Sequence, residues 1–165
     1  METRFMVDIN VGRLARWLRL MGYDARLFDG QDDNHMIRMA LAEGRVLLTK
    51  DTQIMKRWVV TSGRLQVLLI QGEDHREQLR QVVSSLGLDY RFRPFSLCLE
   101  CNQPLEPRGK ETVRDLVPAY VFRTHSEFTQ CPACHRVYWR GTHWQSMSRE
   151  LERFTAGAGA GERLP

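Results

Sequence analysis

The chain has 165 residues, 42% of them hydrophobic, and a formal net charge of +4 at pH 7. That length suits one ordinary domain or a smaller domain with an appendage, and that apolar fraction is enough for a packed core. The basic balance suits a polyanionic partner without requiring one. The amino terminus enters a strand-like run with no long apolar segment before it. The longest apolar stretches, such as Val67-Leu68-Leu69-Ile70, fall far short of the ~20 residues of a membrane span. A soluble, cytoplasmic protein without a membrane partner is therefore expected.

Arg4-Phe5-Met6-Val7-Asp8 reads as a buried strand ending on an acid, with Asn10-Val11-Gly12 as the turn after it. Over residues 13–21, Leu14, Trp17, Leu18 and Met21 recur at helical spacing, while Arg13, Arg16 and Arg19 lie on the other face; Gly22 is the expected C-cap. Residues 23–29 alternate as a second strand. Gly30-Gln31-Asp32-Asp33 leads into a helix with Met36, Ile37, Ala40 and Leu41 on its buried face, an N-cap at Asp32 or Asp33 and a stop at Gly44. Arg45-Val46-Leu47-Leu48-Thr49-Lys50-Asp51 repeats the first pattern, a short buried strand that again ends on an acid. Residues 52–60 are expected to form a third helix, 65–70 a fourth strand, and 75–86 a helix with Leu79, Val82, Val83 and Leu86 on one face.

Strand and helix thus alternate across the first ~90 residues, which predicts an α/β fold with a parallel four-stranded sheet in the order 2-1-3-4. The composition changes at Pro94. Residues 1–94 are expected to form the α/β domain, 95–150 a small cysteine-bearing domain, and 151–165 a flexible tail because Ala156-Gly157-Ala158-Gly159-Ala160-Gly161 cannot bury a core.

Asp8, Asp33 and Asp51 each stand where a strand or loop enters a helix, with Asp29 and Asp32 nearby. Taken singly, each is explained as a helix cap. Parallel strands, however, direct their carboxyl ends to one edge, so the acids of strands one and three converge. Carboxylates brought together repel one another, and a divalent cation removes the conflict. Oxygen ligands without histidine or cysteine select Mg²⁺ or Mn²⁺ over zinc, and an ion that keeps several waters suits phosphodiester hydrolysis. Arg13, Arg16, Arg19 and Lys50 flank these acids and could hold a phosphate backbone. The plainer alternative is the solvated face of an amphipathic helix.

The four cysteines form two pairs, Cys98-Leu99-Glu100-Cys101 and Cys131-Pro132-Ala133-Cys134. Two Cys-x-x-Cys knuckles suit a tetrahedral structural Zn²⁺ site with no position open for chemistry. His125, His135 and His143 are spare ligands. A redox role is disfavoured because neither pair lies in a βαβ context. Residues 136–144 then alternate aromatic and basic side chains, a surface suited to single-stranded RNA. Ordinary strand alternation would instead turn Val137 and Trp139 inward and Tyr138 and Arg140 outward.

Taken together, Val7-Asp8-Ile9-Asn10-Val11-Gly12-Arg13-Leu14-Ala15-Arg16-Trp17-Leu18-Arg19, the Asp32-Asp33 helix entry, Leu47-Leu48-Thr49-Lys50-Asp51 and the two cysteine pairs resemble the PIN-like ribonucleases. The particular resemblance is to the Mut-seven C-terminal RNase domain family, over about residues 4–147. It implies a PIN-like three-layer domain followed by a zinc ribbon, and metal-dependent RNA cleavage by Asp8, Asp33 and Asp51. Asp32 is the candidate fourth acid, and Thr49 matches the family's polar residue before the last acid. A non-catalytic RNA-binding or adaptor protein is the alternative. A phospho-acceptor domain of the receiver type ranks last, because strand four ends at Ile70-Gln71-Gly72 without the lysine such a domain needs.

Overall fold

The computed structural model describes residues 2–156. Its first half is built from β1 (Phe5–Asp8), α1 (Arg13–Leu20), β2 (Ala25–Phe28), α2 (Asp33–Glu43), β3 (Val46–Thr49), α3 (Trp58–Thr61), β4 (Val67–Leu69) and α4 (His75–Leu86). The four strands form one parallel sheet in the order β2-β1-β3-β4, as the alternation of elements predicts. β1 and β3 are buried along their whole length, which is why they read as near-continuous apolar runs.

Alternate side chains of these strands face opposite layers. Phe5, Val7, Val46 and Leu48 pack in one core with α1 and α4, whereas Met6 and Leu47 pack in a second core with Met36, Ile37 and Ala40 of α2. Asp8 and Thr49 follow Met6 and Leu47 at a spacing of two, so they emerge on the α2 side of the sheet. This parity sets up the site described below.

Local signals placed most helix ends. Asp32 caps α2 by accepting from the backbone N–H of Asn34, and Gly44 closes that helix in the left-handed region at φ 62°. Gly22 has φ 93°, and an added Cβ would lie 2.3 Å from the carbonyl oxygen of Arg93, so the position requires glycine both for its backbone and for its close neighbour. Two details depart from expectation. Residues 52–60 are not one helix but a 3-10 turn (Ile54–Lys56) and the short α3, separated by an extended Arg57 at ψ 138°; Ile54 before the break and Val59 and Val60 after it pack against the α2-side core. Leu41 is exposed rather than buried, because α2 rests on the sheet through a narrower stripe of Met36, Ile37 and Ala40.

The second half carries an antiparallel sheet of β5 (Glu106–Arg108), β6 (Phe128–Gln130) and β7 (Val137–Tyr138). A 3-10 helix (Lys110–Leu116) and α5 (Ala119–Thr124) cover it, with Val113, Val117, Val121 and Phe128 as a small core of their own. α6 (Thr142–Ala156) then returns to the first half, where Met147 and Leu151 enter the larger core. Residues 151–156, expected as part of the tail, belong instead to α6. Trp144, Met147 and Leu151 stand at i, i+3 and i+7, a helical stripe that the glycine-rich sequence beyond it obscured. The rest of the expected tail, residues 157–165, lies outside the described residues. No described helix is long and apolar enough to cross a membrane.

Candidate functional site

The carboxyl ends of β1 and β3 lie side by side, with Val7 paired to Leu48 and Asp8 and Thr49 the next residue on each strand. The Thr49 hydroxyl donates to Asp8 Oδ2 at 2.7 Å, and Thr49 Oγ1 accepts from the backbone N–H of Asp51 at 3.0 Å. One buried hydroxyl thus fixes both an acid's side chain and the next acid's backbone. Asp8 is only 8% exposed, so this partner matters: a buried carboxylate without one would be costly. Asp51 Oδ1 accepts from the backbone N–H of Gln53 at 2.8 Å, a local turn that leaves its second oxygen for other partners. Asn10 Oδ1 accepts from the backbone N–H of Lys50 at 3.3 Å and ties the two strand ends together. Nothing in the local sequence marks Asn10 for that role.

Asp33, the first residue of α2, joins them from the facing layer. Its carboxyl is raised above the ordinary carboxylate range, first by partial burial and then by the negative charges of Asp51 and Asp8, with Arg57 opposing. Asp33, Asp51 and Asp8 therefore share one electrostatic neighbourhood. Asp32 also adds negative charge there, but its side chain is engaged as the α2 cap.

The four predicted basic residues separate into different situations. Arg13 is exposed, with its guanidinium 3.4 Å from His75 Nδ1 at the start of α4. Arg16 is exposed and paired with Glu100 at 2.7 Å, and Lys50 is paired with Glu73. Arg19 is a correction: its side chain is buried and turned away from solvent, so it cannot hold RNA. Its Nε donates to the carbonyl of Ala25 at 2.9 Å and its Nη1 to that of Leu99 at 2.8 Å, which fastens the first cysteine knuckle to the end of α1. Burial lowers the Arg19 pKa, against the opposing charges of Cys98, Glu100 and Cys101. Arg19→Ala is expected to destabilise the fold by about 2 kcal/mol or more in a denaturant melt, since hydrogen bonds to a charged donor carry that scale. Arg19→Lys should not restore it, because an ammonium cannot reproduce the guanidinium fork.

The four thiols come together, with all four Sγ atoms within 4.8 Å of one another. Among the described residues this set alone is so compact, and none of the three spare histidines joins it. A tetrahedron with Zn–S bonds of 2.3 Å has edges of about 3.8 Å. Cys98 Sγ and Cys134 Sγ are 3.7 Å apart, which fits. The knuckles repeat one another: the N–H of Cys101 points to Cys98 Sγ and that of Cys134 to Cys131 Sγ, at 3.4 and 3.5 Å. Burial pushes the Cys98 thiol up, but hydrogen bonding by the Tyr138 hydroxyl and the backbone N–H groups of Cys101 and Glu100 brings it down to about 7. Tyr138 does not face outward as strand alternation suggested. Its hydroxyl lies 3.1 Å from Cys98 Sγ and accepts from the N–H of Leu99.

The cysteine set docks where the strands begin, away from the acids. Asn102 donates to Asp24 Oδ1 at 2.6 Å and accepts from the N–H of Ala25 at 3.0 Å, just ahead of and at the start of β2. The same Asp24 is paired with the buried Arg45 at 2.7 Å. α1 runs between the two ends of the sheet, leaving Asp8 beside its first turn and the Cys98–Cys101 knuckle beside its last. The thiols therefore support the scaffold rather than the acid edge.

The Mut7-C RNAse domain family model matches residues 3–151. No curated protein and no solved structure matches the chain. The match spans both the acid-edged sheet and the four-cysteine unit, and the chain belongs to the Mut7-C RNAse domain family.

Proposed function

We propose that the chain hydrolyses RNA phosphodiester bonds in a divalent-cation-dependent reaction at the edge formed by Asp8, Asp33 and Asp51. The observation that carries this reading is the geometry at the ends of β1 and β3, where the Thr49 hydroxyl donates to Asp8 and accepts from the N–H of Asp51, with Asp33 near enough for the charges of Asp51 and Asp8 to raise its carboxyl. The three carboxylates, which stand further apart than the four thiols, offer oxygen ligands without histidine or thiol and fit a hard cation such as Mg²⁺ or Mn²⁺. When bound by these three acids, that ion supplies Lewis acidity and a polarised water for attack on phosphorus.

The chain's own groups do the rest. Thr49 holds Asp8 in one rotamer, so the carboxylate is oriented before substrate arrives. Arg13, Arg16 and Lys50 hold the phosphate backbone that the acids alone would repel. The ion pairs of Arg16 and Lys50 are at the surface, where a pair contributes little and exchanges readily for phosphate. Zn²⁺ in the four-cysteine set has a structural role, because its ligand positions are filled.

Thr49→Val keeps the shape and removes the hydroxyl. It is expected to lower cleavage about 10- to 100-fold, as loss of a group that orients a metal ligand does. RNA affinity measured in the absence of divalent ions should be unchanged. Equal cleavage by Thr49→Val and the parent chain would refute the role given to this hydroxyl.

A non-catalytic RNA-binding protein is the second reading, favoured by the local turns in which Asp32 and Asp51 accept from Asn34 and Gln53. The deciding experiment is a cleavage assay on single-stranded RNA with and without Mg²⁺ or Mn²⁺, zinc being retained. Cation-dependent cleavage supports the nuclease; binding without cleavage under every cation supports the second reading.

A further inference from the structure

The cysteine unit meets α1 and α6 along a cleft of about 410 Å³, a volume in the usual range for small-ligand sites. Tyr120, Trp139 and Trp144 contribute aromatic walls, Leu99 and Met147 line it further, and Arg16 stands at its rim. Tyr120 is 62% exposed, an unusual place for a large aromatic ring. A second cleft of about 580 Å³ shares Phe95 and His125 with the first and brings Arg108 and Arg140 to the same face. The Arg140 guanidinium lies 5.2 Å from the Trp144 ring and 5.6 Å from the Phe95 ring. Aromatic faces bordered by guanidinium groups are the combination that stacks bases and holds their phosphates.

We propose that this cleft is a base-binding subsite for single-stranded RNA, in which Tyr120 stacks on a base and Arg16 and Arg140 contact the flanking phosphates. The proposal rests on the ribonuclease reading and adds to it the part of the substrate away from the cut. Two observations select this occupant over an apolar peptide. Arg16 lines this cleft and Arg108 and Arg140 the adjoining one, against Glu100, paired with Arg16, and Glu127, an excess of positive charge that suits a polyanion. The exposed side of α1 also leads from the cleft toward the acid edge: Arg16 lines the cleft, and Arg13, roughly 5 Å along the axis, follows the turn after Asp8. Duplex RNA does not fit, because its bases are stacked inside the helix and offer no free face.

The test is fluorescence anisotropy with a fluorescein-labelled oligouridylate of about fifteen nucleotides, a length that spans several stacked bases. It is run in an Asp51→Asn background so that the RNA stays intact. Tyr120→Ala and Arg140→Ala, both at exposed side chains, are each expected to weaken binding about tenfold, while Tyr120→Phe keeps the affinity. Melting midpoint and zinc content monitor the fold. With Asp51 present, Tyr120→Ala should lower kcat/KM on the oligonucleotide and leave hydrolysis of bis(p-nitrophenyl) phosphate, too small to reach the cleft, unchanged. Unchanged affinity in both alanine variants, or a duplex of the same length bound as tightly with the same sensitivity, would overturn the subsite and leave the nuclease reading standing. RNA bound but never cut by the parent chain, with binding still lost in Tyr120→Ala, would overturn the nuclease reading and support the subsite.

Discussion

Asp8→Asn and Asp51→Asn are each expected to reduce cation-dependent RNA cleavage by at least about a hundredfold. Groups that merely orient a metal ligand cost up to that factor when removed, so a direct ligand costs no less. Asparagine keeps the shape and one oxygen but removes the charge that attracts a divalent cation. Asp33→Asn should also remove cleavage, without a loss of stability at neutral pH. The Asp33 carboxyl titrates above the ordinary carboxylate range, so its ionisation is harder in the folded chain than in the unfolded one. A group raised in this way contributes stability below its unfolded pKa and loses it as pH rises through the folded value. At neutral pH that contribution is gone, and the ionised carboxyl meets its burial and the repulsion of Asp51 and Asp8, offset in part by Arg57.

Asp33→Asn is therefore expected to melt at an equal or higher temperature at pH 7 than the parent chain. Added Mg²⁺ should raise the melting temperature of the parent, because a ligand that binds only the folded state stabilises it, and should not raise that of Asp33→Asn. A loss of activity accompanied by a lower melting temperature and an unaltered Mg²⁺ response would assign Asp33 to capping alone. Wild-type cleavage in both Asp8→Asn and Asp51→Asn would remove the proposed site altogether.

The second large effect concerns the thiols. Protein purified under reducing conditions should carry stoichiometric zinc, and stripping it should unfold the segment from Cys98 to Cys134. The small core there has only Val113, Val117, Val121 and Phe128 fully inside it, too little to hold a segment of that length against its conformational entropy. Structural zinc sites contribute on the order of 10 kcal/mol to folding, a contribution so small a core cannot replace. Cys98→Ser and Cys131→Ser should behave like the stripped protein.

The damage should spread beyond the segment. Arg19 would lose the carbonyl of Leu99, Asp24 would lose Asn102, and the far end of α1 would be released. Near-ultraviolet circular dichroism should report this, since Tyr138 sits against Cys98 and Trp144 packs on the main core. With Mg²⁺ resupplied in excess after chelation, cleavage should remain low until zinc is restored. A zinc-free protein with an unchanged melt would refute the structural role.

Much of the fold was legible in the sequence because its signals are local. A run such as Phe5-Met6-Val7 is apolar at every position only when both faces are covered, and the recurrence of such runs between helical patterns implies a parallel sheet. The Asp32 cap and the Gly44 stop act within one turn of chain, and the two Cys-x-x-Cys spacings carry their metal chemistry in four residues each. That Asp8 and Asp51 share an edge also follows from sequence, once the strands are parallel.

Other features depend on which surfaces meet. Helical periodicity put Arg13, Arg16 and Arg19 on one polar face, yet Arg19 is buried because the cysteine knuckle packs over the end of α1 and offers its carbonyls there. Asp32 and Asp33 are adjacent acids at one helix entry; only the approach of α2 to the sheet brings Asp33 under the charges of Asp51 and Asp8 while Asp32 caps the helix. Tyr138 reads as an outward residue of a ribbon strand until the thiol of Cys98 is brought beneath it. The sequence by itself thus determined the elements, their order and the chemistry each could carry, because periodicity, capping and ligand spacing are properties of near neighbours. The tertiary structure alone decided which arginine is a structural clamp, which of Asp32 and Asp33 caps the helix, and that the thiols lie at the opposite end of the sheet from the acids. Those outcomes depend on contacts between residues as far apart as Arg19 and Leu99, which no local pattern encodes.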